Sequence, residues 1–185
     1  MGFLRRLFGG QAAPATERPA SGLRPGSEAQ PGRSATEKPP PDRPRIDRRG
    51  PLAPGCKKVI QGPPLEVVGE SFHRDAIEAF LGRSPDGHTA IVDAALALEP
   101  SNPFDTHAVA VSVGGRVVGY LAKADAAAWR PVLAWYAERG ITPVARGDVL
   151  GGWRKNDGTW ADFGITLHVA GPETLAERQG SGKEG

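Results

Sequence analysis

Strict alternation of apolar and polar positions begins only after about residue 58 of this chain. Val92, Ala94, Leu96 and Leu98 alternate with Asp93, Ala95, Ala97 and Glu99, the period of two that marks a half-buried strand. Val109, Val111 and Val113 alternate with small or polar residues up to Gly114-Gly115, and Val117 to Leu121 continues on the far side, which predicts a hairpin. Phe163, Ile165, Leu167 and Val169 alternate with Asp162, Gly164, Thr166 and His168. Asp157-Gly158 stands before them and suits a type I′ turn, so a second hairpin is expected.

Two stretches change to a helical period. Phe72, Ala76, Ala79 and Phe80 share one face over about residues 72 to 81, with Ser71 as the expected N-cap. Trp129, Val132, Leu133 and Tyr136 share another, and Gly140 stands where a C′ glycine belongs. Pro131 would cost about 3 kcal/mol inside a helix, so it is expected to open this one at its first turn. The pattern predicts a mainly β domain with two short helices, a small OB-like or SH3-like barrel over residues 58 to 172. Residues 173 to 185 are expected to form a flexible tail.

The chain ahead of the barrel has a different composition. Ten prolines stand between Pro14 and Pro54 with almost no large apolar residues. Such a segment buries too little surface to offset its ordering entropy, so residues 11 to 57 read as a disordered, basic, Pro-rich linker. Residues 1 to 10 can place Phe3, Leu4, Leu7 and Phe8 on one helical face and Arg5 and Arg6 on the other. This is a short amphipathic peptide for partner or membrane contact, or else a frayed terminus, since two turns are not stable alone. The total of 185 residues fits one domain, expected as a monomer. The lone Cys56 closes no intrachain disulfide, which predicts a reducing, cytoplasmic setting.

Charge divides the chain in the same way. Residues 1 to 58 carry 12 Lys/Arg against 5 Asp/Glu, whereas residues 59 to 185 carry 11 against 16. A basic arm attracts phosphates through counterion release, but an acidic domain must make any nucleic-acid contact locally.

Little in the sequence suggests catalysis. His73, His88, His107 and His168 stand apart from one another and from Cys56, so no metal-ligand spacing occurs, and neither metal nor cofactor is expected. Gly114-Gly115 leads to Arg116 and lacks the Gly-Lys-Ser/Thr of a phosphate loop. Ser71, His73 and Asp75 lie two residues apart on a helix start, where they point in different directions. The chain is expected not to be an enzyme.

Residues 98 to 123 read LEPSNPFDTHAVAVSVGGRVVGYLAK. With Val67-Val68-Gly69 upstream, Asn102-Pro103-Phe104-Asp105, Ala108-Val109 and Val118-Gly119-Tyr120-Leu121 before Lys123, the chain resembles the HIRAN family from about Val67 to Val169. The resemblance implies an OB-like barrel that recognises single-stranded DNA and, in the best understood eukaryotic relatives, its 3′-hydroxyl end at stalled replication forks. It implies further that Phe72 and Phe104 sandwich terminal bases and that Asp105 accepts the hydrogen bond of the terminal hydroxyl. Tyr120 and Lys123 would then meet the phosphates. Ser71 stands where a relative can offer Arg, and Ser101 and His107 where relatives can have Asn.

Each of these residues has a plainer reading. Phe72 can anchor its helix in the core, Phe104 can plug the barrel, Asp105 can cap the turn from Asn102 to His107, and Lys123 can be a solvated charge. Independently of the resemblance, Trp153, Arg154 and Lys155 precede the Asn156-Asp157-Gly158 turn and Trp160 follows it. Cross-strand pairing of the two Trp beside the cations would make a base-stacking tip, or the two would only cover the barrel. The expected function is a nucleic-acid-binding accessory module for single-stranded DNA, or RNA, in DNA repair or fork processing. The alternative is a protein-interaction adaptor using the barrel groove and the N-terminal arm.

Overall fold

The computed structural model describes residues 44 to 181. The amphipathic peptide and most of the linker lie outside the described residues, as do the last four residues of the expected tail.

Eight strands form one sheet: β1 (Ile46–Asp47), β2 (Cys56–Lys58), β3 (Pro64–Val68), β4 (Asp86–Leu98), β5 (Val109–Val113), β6 (Arg116–Leu121), β7 (Thr142–Trp153) and β8 (Phe163–His168). Six of them close a barrel in the order β4-β5-β6-β3-β8-β7, with β7 returning to β4. Closure rests on the two longest strands, which pair antiparallel from Asp86 opposite Trp153 to Ala95 opposite Val144. It leaves β4 and β7 no free edge along their ladder. The alternation read from the sequence sorts the side chains: Val92, Leu96, Val109, Val111, Val118, Ile165 and Leu167 are fully buried. A truncation such as Leu96→Ala costs about 2 to 5 kcal/mol, because the barrel wall cannot collapse into the space.

Three helices pack on this barrel, α1 (Arg74–Leu81), α2 (Lys123–Glu138) and α3 (Pro172–Gly180). The first starts later than the periodicity suggested. A 3-10 turn over Glu70–His73 comes before it, entered from Gly69 at φ 85°, and Ser71 lies inside this turn with no capping bond to the helix. The helix buries Ile77 and Leu81 and leaves Phe72 and Ala79 outside. The second helix contains Pro131 in its interior. It continues through the proline because Ala126 and Trp129 before it, and Val132, Leu133 and Tyr136 after it, are all buried on one face. That burial outweighs the lost hydrogen bond. The third helix occupies residues expected to be tail, held by Leu175, which is buried.

The largest departure concerns residues 44 to 57, expected in the linker. Strand β1 pairs parallel with β4 at Ala90 and Ile91, and β2 pairs parallel with β7 from Thr142 to Val144. The chain between them forms a belt over the outside of the barrel. Arg48 N–H donates to Ile91 O at 2.8 Å, Thr142 N–H to Gly55 O at 2.8 Å, and Arg45 reaches the Asp148 carboxylate at 2.5 Å. Composition failed here because the belt contributes backbone pairing and ion pairs, not a hydrophobic face. A chain beginning at residue 59 should therefore melt at least about 4 °C below one beginning at residue 44, equivalent to about 1 kcal/mol in a domain of this size. Equal melting temperatures would make the belt an ornament.

Candidate nucleic-acid interface

The site forms where β3 crosses β6. Gly119 permits the crossing, since a Cβ there would stand 2.5 Å from a Val67 methyl and 2.8 Å from Val68 O. The crossing sets Val68 opposite Tyr120. From that point Gly69 turns the chain into the 3-10 turn that carries Phe72 and His73, and the His73 ring lies 5.6 Å from the Tyr120 ring, tilted by 55°.

On its other side Tyr120 holds the loop after β4. Its hydroxyl bonds the side chains of Glu99 and Asn102. Burial, and then the bond to the Glu99 carboxylate and its charge, push the Tyr120 hydroxyl above its ordinary pKa, so it stays a neutral donor. Asn102 Nδ2 donates to Glu99 Oε2 at 2.9 Å, while Asn102 Oδ1 accepts from the backbone N–H of Phe104 at 3.0 Å and of Asp105 at 3.1 Å. Asp105 Oδ1 accepts from His107 N–H at 2.8 Å, and Arg130 of α2 reaches Thr106 O at 3.4 Å. A ten-residue loop is thereby fixed by side chains that the fold has already placed.

This scaffold presents Phe72 at 90% exposure and Phe104 at 96%. Phe72 is therefore not an anchor of its helix, and Phe104 is not a barrel plug. Asp105 does cap its turn through Oδ1, and its side chain remains one-third exposed. Tyr120, expected to meet phosphate, stands between the two aromatic-bearing segments, against His73 on one side and Glu99 and Asn102 on the other. Lys123 is exposed at the first residue of α2, three residues beyond Tyr120.

The β7–β8 tip differs from the expected Trp–Trp pair. Ala161 N–H donates to Trp153 O at 2.8 Å, and Arg154 bridges Trp160, so the two Trp fall on opposite faces of the ribbon. Register explains this, since seven positions separate them around the turn. Gly158, at φ 83°, closes that turn with its N–H on Lys155 O. Arg83 lies 5.8 Å from the Trp160 ring centre, and Arg74 donates to Ala161 O at 2.6 Å, so the tip that carries Trp153, Arg154 and Lys155 is tied to α1. The structure thus joins Phe72, Phe104, Asp105 and Tyr120 through one network and sets Trp153, Arg154 and Lys155 on a separate element.

Sequence reading missed Glu99, Asn102, His73 and Arg130 as supports. The motif Glu99-Pro100 with Asn102-Pro103 marked the first two, but no spacing signalled that Arg130 returns to this loop. Among the described residues, no group of three or more His, Cys, Asp or Glu could hold a metal ion, and no helix is long and apolar enough to cross a membrane.

No family model matches the sequence, and no curated protein matches it. Among solved structures the chain is similar to the crystal structure of the HIRAN domain of human HLTF, with 17% identity over 66% of this chain and 88% of that chain and a TM-score of 0.27. That domain belongs to the family that residues 98 to 123 resemble.

Asn102→Ala removes the acceptor for two backbone N–H groups and the donor to Glu99. It should lower stability by about 1 to 3 kcal/mol in denaturant melts, the cost of leaving such groups unpaired. A change within about 0.3 kcal/mol would show that the loop holds itself.

Proposed function

We propose that this domain is a non-catalytic module that holds single-stranded nucleic acid, stacking bases on Phe72 and Phe104. One observation carries the reading: two phenylalanines stand almost wholly in water, Phe104 on a loop that a polar network around Tyr120 fixes, and Phe72 next to His73, whose ring lies against the same Tyr120. Burying either ring would stabilise the fold by about 1.5 to 3 kcal/mol, so presenting both suits a stacking partner. A base stacked on an aromatic contributes about 1 to 3 kcal/mol and every base has such a face, which suits recognition without sequence preference.

The other residues take roles consistent with their surroundings. Asp105 Oδ2 accepts the hydroxyl of a strand end, Lys123 meets a phosphate, and Tyr120 keeps the two rings in register. The motif resemblance to HIRAN domains supports DNA, a free 3′-hydroxyl, and work at repair or replication-fork intermediates inside the cell. The acid count of residues 59 to 185 favours a second reading, an adaptor that takes a basic peptide in the same place.

Fluorescence anisotropy of labelled single-stranded DNA with the full chain separates these readings. Phe72→Ala with Phe104→Ala should weaken binding by at least about a hundredfold, two stacked bases' worth. A 3′-phosphate should weaken binding to the unmodified protein about tenfold, because a carboxylate repels phosphate and accepts from a hydroxyl. Oligonucleotide affinity untouched by the double substitution would remove the stacking reading. Tight binding of a basic peptide without any of DNA would establish the adaptor.

A further inference from the structure

The belt across the barrel has a charge unlike the rest of the described domain. Residues 44 to 58 hold Arg45, Arg48, Arg49, Lys57 and Lys58 against Asp47 alone, whereas residues 59 to 181 hold 10 Lys/Arg against 15 Asp/Glu. Every residue from 44 to 50 is exposed, as is Lys58.

Ion pairs to the barrel fix this segment without neutralising it. Arg45 pairs with Asp148, Lys58 with Asp93 at 3.5 Å, and Arg49 with Asp47 at 2.6 Å within the belt. Asp148 is shared further with Arg146 at 3.2 Å and with His168 Nε2 at 3.0 Å. Arg48 makes no ion pair among the described residues. Leaving Lys57 aside, the face carries Arg45, Arg48, Arg49, Lys58 and Arg146 against Asp47, Asp93, Asp148 and the neighbouring Glu66.

An open groove of about 550 Å³ adjoins the belt, with Arg45 paired to Asp148 beside His168 at one end and Asp162, its side chain 76% exposed, beside Trp153 at the other. The cations that face solvent outside this groove, Arg48 and Arg49 among them, are therefore the part that can meet phosphate.

We propose that the belt is a docking surface for the sugar-phosphate backbone of nucleic acid, a second contact separate from the Phe72 and Phe104 site. The proposal rests on the nucleic-acid reading above and adds where its sequence-independent affinity resides. The aromatic site, in an acidic setting with Asp105, Glu99 and Asp125, selects the strand end. The belt, held in one shape by its two parallel pairings, supplies counterion release.

The test is the salt dependence of oligonucleotide binding by the full chain. Arg48→Gln with Arg49→Gln spares the ion pairs to the barrel, and unchanged melting would confirm an intact fold. This variant should bind about tenfold more weakly at 50 mM salt, with the slope of log affinity against log salt reduced by about 1.4, two phosphates on a single strand. It should keep the unmodified protein's preference for a 3′-hydroxyl over a 3′-phosphate. An unchanged slope overturns the proposal. So does an equal loss from Arg24→Gln with Arg33→Gln, which would show that any two charges serve. If the unmodified chain binds no oligonucleotide, the nucleic-acid reading falls and the belt proposal with it. If it binds, and Phe72→Ala with Phe104→Ala weakens it while the belt variant keeps its full slope, the belt proposal alone falls.

Discussion

The Tyr120 hydroxyl has a wall of the barrel behind it and the Glu99 carboxylate and Asn102 amide in front of it, and most of the candidate site depends on that position. Gly119 lets β3 press against β6. The close crossing fixes Tyr120 against His73 on one side and against the loop from Glu99 to Ala108 on the other. Two segments far apart in the chain, one carrying Phe72 and the other Phe104, are thereby referred to the same side chain. Preorganisation of this kind lowers the cost of binding, since neither aromatic segment needs ordering when a ligand arrives. A neutral phenol suits this task, because a phenolate beside Glu99 would place two negative charges in contact.

On the proposed reading, the distribution of charge around the fold separates affinity from selection. An acidic barrel repels polyanions over its general surface and admits them only where local contacts compensate. The belt places Arg45, Arg48, Arg49, Lys57 and Lys58 on that barrel, by backbone pairing to strands β4 and β7. On the proposed reading the belt supplies cations that the aromatic site lacks, since Arg130 is engaged with the Thr106 carbonyl.

Period-two alternation made the barrel legible, because β4 and β8 bury every second residue; β5 is buried almost throughout, and β6 departs from alternation next to the bulge opposite Val111 and Ser112. Elements held by other means were not legible. The belt has no apolar period. The third helix shows one buried Leu175 in a charged stretch, and Pro131 concealed the first two turns of α2. At the site, the Asn102-Pro103-Phe104-Asp105 run pointed to the loop. Exposure of Phe72 could not be read from a helical wheel, because Phe72 lies in the 3-10 turn, where the wheel does not apply. The opposite facing of Trp153 and Trp160 depended on a turn register that the sequence leaves open.

Stacking of a terminal base between Phe72 and Phe104 can be observed directly with 2-aminopurine, whose emission falls when it stacks on an aromatic ring. Single-stranded oligonucleotides carrying the fluorophore either at the 3′ terminus or six nucleotides inward would be titrated with the full chain. Quenching on saturation at the terminal position and not at the inner one is the expected result. Saturable binding with no change of emission at either position would contradict the assignment of Phe72 and Phe104 as a stacking site for a strand end.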